Sequence, residues 1–226
     1  PRRFSERDMA VMANLAAIVM DEIEPRQAAS VDALTGALVR AALLRRIDRV
    51  VEGEAMPAAL AILAVDRFER INEAHGHAAG EAVLAGLARH VMAWKRPADV
   101  LGRLGGEEFG LLMPGIETVD AVKRLETLRR VVERMGVDAP ATIEATVSVG
   151  LAPLLETIRT TGAWLHAADR ALYEAKLYGR NRVVLGDGSA PAPAIPGGDR
   201  RRVRDLPVES EVLNPLEVMR WVNKTH

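Results

Sequence analysis

Residues 100–113 read VLGRLGGEEFGLLM: two apolar segments of strand character separated by a glycine pair and two adjacent acids. Turn residues between such segments specify an antiparallel hairpin. A two-stranded hairpin is not stable alone, so this one must join a larger sheet with a covered face. ALAILAV (59–65) supplies a partner: a continuous apolar run, hence a strand buried on both faces. ATIEATVSVGLAPL (141–154) alternates and predicts a long strand, and NRVVLG (181–186) a last one.

Helical patterns fill the intervals. Apolar spacing from Leu38 through Leu43, Leu44 and Ile47 to Val50 predicts a helix that Gly53 closes, after a turn at Thr35 and Gly36. Residues 80–94, 117–135 and 161–179 read as three more helices. An earlier helix, 5–25, starts at Ser5 and Asp8 and carries an apolar stripe at Met12, Leu15, Val19 and Ile23. The expected order is α, α, β, α, ββ, α, β, α, β. That order predicts an α/β (α+β) sandwich, with a central, mainly antiparallel sheet flanked by helices.

Three parts are expected: an N-terminal signalling or stalk helix (1–30), one α/β domain (31–186), and a tail (187–226). The tail opens as a Pro-, Gly- and Arg-rich linker and closes on a short helix begun by Asn214 and Pro215. Hydrophobic residues make up 49% of the 226, enough for a core, and the formal net charge is -1. A charge that balanced gives no bulk positive field for nucleic acid. No apolar stretch approaches the length of a membrane span. The chain has no cysteine, which excludes disulfides and thiolate metal sites and fits a cytoplasmic location. Because it opens on Pro1, it is read as a segment of a longer protein.

The chemistry points to the hairpin tip. Glycines turn tightly and let a phosphate approach without a Cβ in the way. Two carboxylates beside them, Glu107 and Glu108, are oxygen ligands suited to a divalent cation that could hold a polyphosphate. The plain alternative is a polar turn with solvated acids.

Four further segments decide between these readings: DALTGALVR (32–40), DRFERINEAHGHAAGEAVL (66–84), TVSVGLA (146–152) and ADRALYEAKLYGRNRV (168–183). In this order around RLGGEEF they resemble the GGDEF family, the domain of diguanylate cyclases, over about residues 31–186. Residues 2–26 look similar to the last helix of a GAF-type sensor. The family resemblance implies a fold like nucleotidyl cyclases and the polymerase palm. It implies that two domains, each holding one GTP, meet and form cyclic di-GMP with release of pyrophosphate. Mg²⁺ or Mn²⁺ is the implied cofactor, and a homodimer made through the N-terminal helix is the expected assembly.

Carried over by position, Glu107 is the implied metal ligand and Glu108 the acid that assists catalysis or holds a second cation. Gly105 and Gly106 make room for the triphosphate. Asn72 and Glu81 meet the guanine, Glu81 standing where the family has Asp. Lys176 and Arg180 hold phosphates. Arg96 and Asp99, with Arg103, match a product-inhibition site, in which arginine forks onto a guanine edge. Two departures stand against this. The family's first metal Asp falls at Ala64, and Asp66 matches only the second acid, on the same strand face about 6.5 Å away. Glu69 replaces a lysine near the phosphates. Three functions are therefore expected in competition: a diguanylate cyclase of reduced activity, an inactive receptor for cyclic di-GMP or GTP, and a scaffold for an active partner.

Overall fold

A computed structural model describes residues 30–54, 57–134 and 143–186. The N-terminal helix, its GAF-type likeness and the 187–226 tail lie outside the described residues.

Six strands form one sheet in the order β1-β3-β4-β2-β5-β6. They are β1 (Leu38–Val39), β2 (Ala58–Val65), β3 (Val100–Gly105), β4 (Glu108–Pro114), β5 (Val147–Pro153) and β6 (Val183–Leu185). The pairs β3/β4, β4/β2 and β2/β5 are antiparallel, while the edge strands β1 and β6 pair in parallel. The expected mainly antiparallel sheet is what forms.

The run 59–65 is apolar throughout because both its faces are covered. Ala59, Ala61, Leu63 and Val65 point to one core cluster, and Ala58, Leu60, Ile62 and Ala64 to the other. The first cluster takes in Val83, Leu84, Leu87 and Val91 of α3 (His77–Trp94), and Ala121, Leu125 and Leu128 of α4 (Thr118–Arg134). The second takes in Leu43 and Ile47 of α1 (Arg40–Arg49), and Trp164, Ala168 and Leu172 of α5 (Thr161–Leu177). The result is helices on both sides of one sheet.

α5 sits unusually close to β5. A Cβ on Gly150 would lie 2.1 Å from the Leu172 nitrogen, so only glycine admits the helix there. Trp164 locks the same contact, fully buried with its indole N–H donated to the Ala152 carbonyl at 2.9 Å. This docking carries the C-terminal end of α5 towards the hairpin tip.

Four features differ from expectation. Leu38 and Val39, where the first core helix was expected to begin, form the edge strand β1, and that helix starts at Arg40. A helix absent from the sequence reading, α2 (Phe68–His75), follows β2, and α3 begins at His77 rather than near 80. Arg67 enters α2 in the left-handed conformation (φ 55°), and Gly76 (φ 83°) separates it from α3, so the eight residues of α2 are too few for a clear stripe. The strand predicted for 141–154 is regular only over Val147–Pro153, because Glu144–Thr146 make no ladder there.

Candidate active site

The hairpin connection is Gly106 and Glu107. Gly106, at φ 51°, fills the first central position that a two-residue hairpin turn reserves for glycine. The tip is tied down from two sides. The Val65 N–H donates to the Glu107 carbonyl at 3.3 Å, and the Arg103 guanidinium donates to the Gly106 carbonyl at 2.9 Å through Nη2. Arg103 is anchored in turn on Asp32, 3.2 Å away. Burial pushes the Asp32 carboxyl up, but the Thr35 hydroxyl and amide and the Arg103 guanidinium outweigh it and hold it below the ordinary carboxylate value.

Ala64 stands directly across from Glu108 on β4 and from Ser148 on β5. Cross-strand partners share a face with Cβ atoms about 5 Å apart. A carboxylate at 64 would therefore stand beside that of Glu108; the residue present is a methyl group with no exposed surface. The place opposite Glu108 is taken up from α5, whose Lys176 Nζ lies 3.6 Å from Glu108 Oε1.

Asp66 does not fill the gap. The register of β2 against β4 and β5 runs unshifted to its end, and the Asp66 carboxylate is buried and engaged. It accepts from the Ser148 hydroxyl at 2.6 Å, the Thr146 hydroxyl at 2.7 Å and the Asn181 N–H at 3.0 Å. Those two hydroxyls were invisible as a motif. The signal was TVSVG itself, two hydroxyl residues at strand spacing opposite an acid.

Asn72 lies on α2 against the first turn of α3. A Cβ on Gly80 would come within 2.0 Å of Asn72 Oδ1, so the amide rests on that glycine. Its Oδ1 is buried and accepts no hydrogen bond from the described residues. Glu81 is exposed next to it, and Glu69 is exposed on the first turn of α2. Arg180 is exposed just beyond α5 at φ 65°.

The pair Arg96 and Asp99 is closed on itself. Asp99 is only 2% exposed. It accepts from Arg96 Nη2 at 2.6 Å, from Nε at 2.9 Å and from the Arg96 N–H at 2.8 Å. The same guanidinium donates to the Pro114 carbonyl at 2.8 Å. Beside it opens a cleft of about 600 Å³ lined by Gly115, Glu117, Lys123 and Arg124. Arg103 is committed to Asp32 and the hairpin tip rather than to this pair.

These features, an acid-tipped glycine hairpin beside the end of a buried strand, coincide with one known domain type. The sequence profile described as "Diguanylate cyclase, GGDEF domain" matches residues 29–182. The chain belongs to the GGDEF family. It is 37% identical over 134 residues to the probable diguanylate cyclase DgcT of Escherichia coli, covering 58% of this chain and 30% of that one. It is 35% identical over 166 residues to the diguanylate cyclase DgcP of Pseudomonas aeruginosa, covering 72% and 25%. The chain thus spans about a third or less of the length of these curated relatives. Among solved structures, the coiled coil and GGDEF domain of DgcB from Caulobacter crescentus, in complex with c-di-GMP, superposes with TM-score 0.66 at 28% identity, covering 80% of this chain and 97% of that one. The diguanylate cyclase SiaD of Pseudomonas aeruginosa, solved with its activator SiaC, does so at 31% identity and TM-score 0.66, covering 80% and 71%.

The donor set fits the divalent cation that the family implies, but incompletely. Glu107 and Glu108 are hard oxygen ligands, as Mg²⁺ and Mn²⁺ require. Ala64 offers no ligand beside them, and among the described residues no three acids or histidines gather as a ready set. No helix among them is long and apolar enough to cross a membrane.

Proposed function

We propose that this domain binds GTP and condenses two GTP molecules into cyclic di-GMP and two pyrophosphates, at a reduced rate. Two copies, each holding one GTP, meet for the reaction, brought together through the N-terminal helix. The observation that carries the reduced rate is the buried methyl group of Ala64 directly opposite Glu108. Glu107 and Glu108, helped by main-chain carbonyls and water, would hold the cation. Such a cation would supply positive charge to the attacking 3′-hydroxyl oxygen of one GTP and to the leaving pyrophosphate oxygen of the other.

The chain's own residues then divide the work. Lys176, which rests on Glu108, would exchange that carboxylate for the incoming triphosphate and free Glu108 for the cation. Arg180 takes a second phosphate contact. Gly105 and Gly106 leave the hairpin without side chains where the triphosphate lies. Asn72, half-buried against Gly80, would turn its side-chain amide to the guanine edge. Glu81 accepts from the same edge with one more methylene than aspartate.

The second reading is a domain that binds GTP or cyclic di-GMP as a receptor, or scaffolds a partner, without cyclising GTP. It is favoured by the same missing ligand together with the exposed acid Glu69. One experiment separates the two: the chain is incubated with GTP and Mg²⁺ or Mn²⁺ and the products are resolved by chromatography. Slow formation of cyclic di-GMP is expected. Tight GTP binding with no product would favour the receptor, and absence of both would overturn the GTP-site reading.

A further inference from the structure

The turn that presents Arg180 is built against the backbone's own preference. Gly179, Arg180 and Asn181 follow one another at φ 110°, 65° and 46°, and two of the three are not glycine. Asparagine visits the left-handed region readily, but a residue such as Arg180 held there costs on the order of 1 kcal/mol and persists only where its surroundings impose it. Here they do. The Arg180 N–H closes on the Ala175 carbonyl at 2.9 Å. The Asn181 side chain accepts from Arg129 Nη1 at 2.8 Å and donates to Glu133 Oε1 at 2.7 Å, which ties the turn to α4. On the other side the Asn181 N–H donates to Asp66 Oδ2 at 3.0 Å.

Asp66 is an unusual partner for a turn. It is a buried carboxylate whose recorded donors are all neutral: two hydroxyls and one amide. It directly follows the last residue of β2, two residues beyond Ala64. Thr146 and Ser148 aim it, one on each oxygen, and leave Oδ2 to receive Asn181. The Asp66 N–H also donates to the Thr146 carbonyl at 2.8 Å, which fixes its main chain. Glu133 responds to the same turn from the far side: the Asn181 amide and the Arg129 guanidinium hold its carboxyl below the ordinary value.

We infer that Asp66 is a positioning residue for the triphosphate: by accepting the Asn181 N–H it holds the left-handed turn that aims Arg180, and so sets the phosphate grip from inside the sheet. The family's second acid thus acts here through a backbone turn and not on a cation. This rests on the reading that Arg180 meets phosphate.

The test is a double-mutant cycle on GTP affinity. The probe is guanosine 5′-(α,β-methylene)triphosphate, which cannot be cyclised, titrated into the full chain by calorimetry. Asp66→Asn is expected to weaken binding about tenfold, the scale of one hydrogen bond to a charged group. Arg180→Ala is expected to cost a similar factor. In combination the two should be no weaker than Arg180→Ala alone, within about twofold, because Asp66 acts only through Arg180. Losses that multiply to about a hundredfold would overturn the positioning role and leave Asp66 as an independent contributor. A thermal melt reports whether Asp66→Asn folds. Should it not, Thr146→Val gives a second handle: it removes one of the hydroxyls that aim Asp66 and leaves Asn181 and Arg180 unaltered. It too should weaken the probe in the Arg180 background and not in Arg180→Ala; equal losses in both would overturn the inference. If the unaltered chain does not bind the probe at all, the GTP-site reading falls, and this inference with it.

Discussion

Ala64→Asp puts a carboxylate beside Glu108, and its cost can be worked from the register. The two residues are direct cross-strand partners, so the charges come within about 5 Å. At an effective dielectric constant of about 20, repulsion at that distance is about 3 kcal/mol. Lys176 offsets part of it, since its ammonium is 3.6 Å from Glu108 Oε1 and can be shared. Burial of the new carboxylate, at a position with 0% exposure, works in the other direction. For a domain of this size about 3 kcal/mol lowers the melting midpoint by about 6–12 °C. A divalent cation reverses the sign, because two repelling carboxylates become two ligands. Free cation at about a hundred times its Kd returns about 2.7 kcal/mol. Melts of the unaltered chain and of Ala64→Asp, each in chelator and in Mn²⁺, are the assay. In chelator the variant should melt well below the parent; in Mn²⁺ it should recover most of the loss, while the parent gains little. Identical midpoints in chelator, or equal gains from Mn²⁺, would refute the claim that position 64 faces the cation.

Two further outcomes follow from the same geometry. Asp32→Asn should cost stability at neutral pH, and the gap should close in acid. The folded carboxyl is held below its ordinary value, so its contribution is full above about pH 4 and disappears as pH falls through the lower folded value; denaturant midpoints across pH 2–7 measure this, and a gap that persists at pH 2 would contradict it. Arg96→Ala should cost about 2 kcal/mol, less than a fully buried pair because the Arg96 side chain is 28% exposed, while it strips the Asp99 carboxylate of its charged partner. It should also abolish cyclic di-GMP binding in calorimetry, and unchanged affinity would remove Arg96 from a product site.

The sheet was legible because its strongest signals are local. The apolar run of β2 and the hairpin around GGEE each announce themselves within a dozen residues, and both formed at their expected places. α2 was not legible: eight residues entered by a left-handed Arg67 carry a single buried apolar residue, Ile71, too little for a period. The place of Glu107 and Glu108 at a hairpin tip was legible from the glycines beside them, and that of Ala64 in a buried strand from the apolar run around it. What the sequence could not hold were pairings across the sheet. Lys176 on Glu108 depends on how closely α5 lies against Gly150, and the cage around Asp66 depends on residues 80 and 82 positions downstream in the chain. Arg103 was read with Arg96, yet its guanidinium turns to Asp32 and the hairpin tip.

We propose that Ala64 and Glu69 lower the rate of this site while the rest of its machinery is retained. Turnover of GTP to cyclic di-GMP by Ala64→Asp combined with Glu69→Lys, measured beside the unaltered chain in saturating Mg²⁺ or Mn²⁺, tests it directly. A large rise in kcat in the double variant is the predicted result. An unaltered chain that already turns over as fast as its double variant would contradict it.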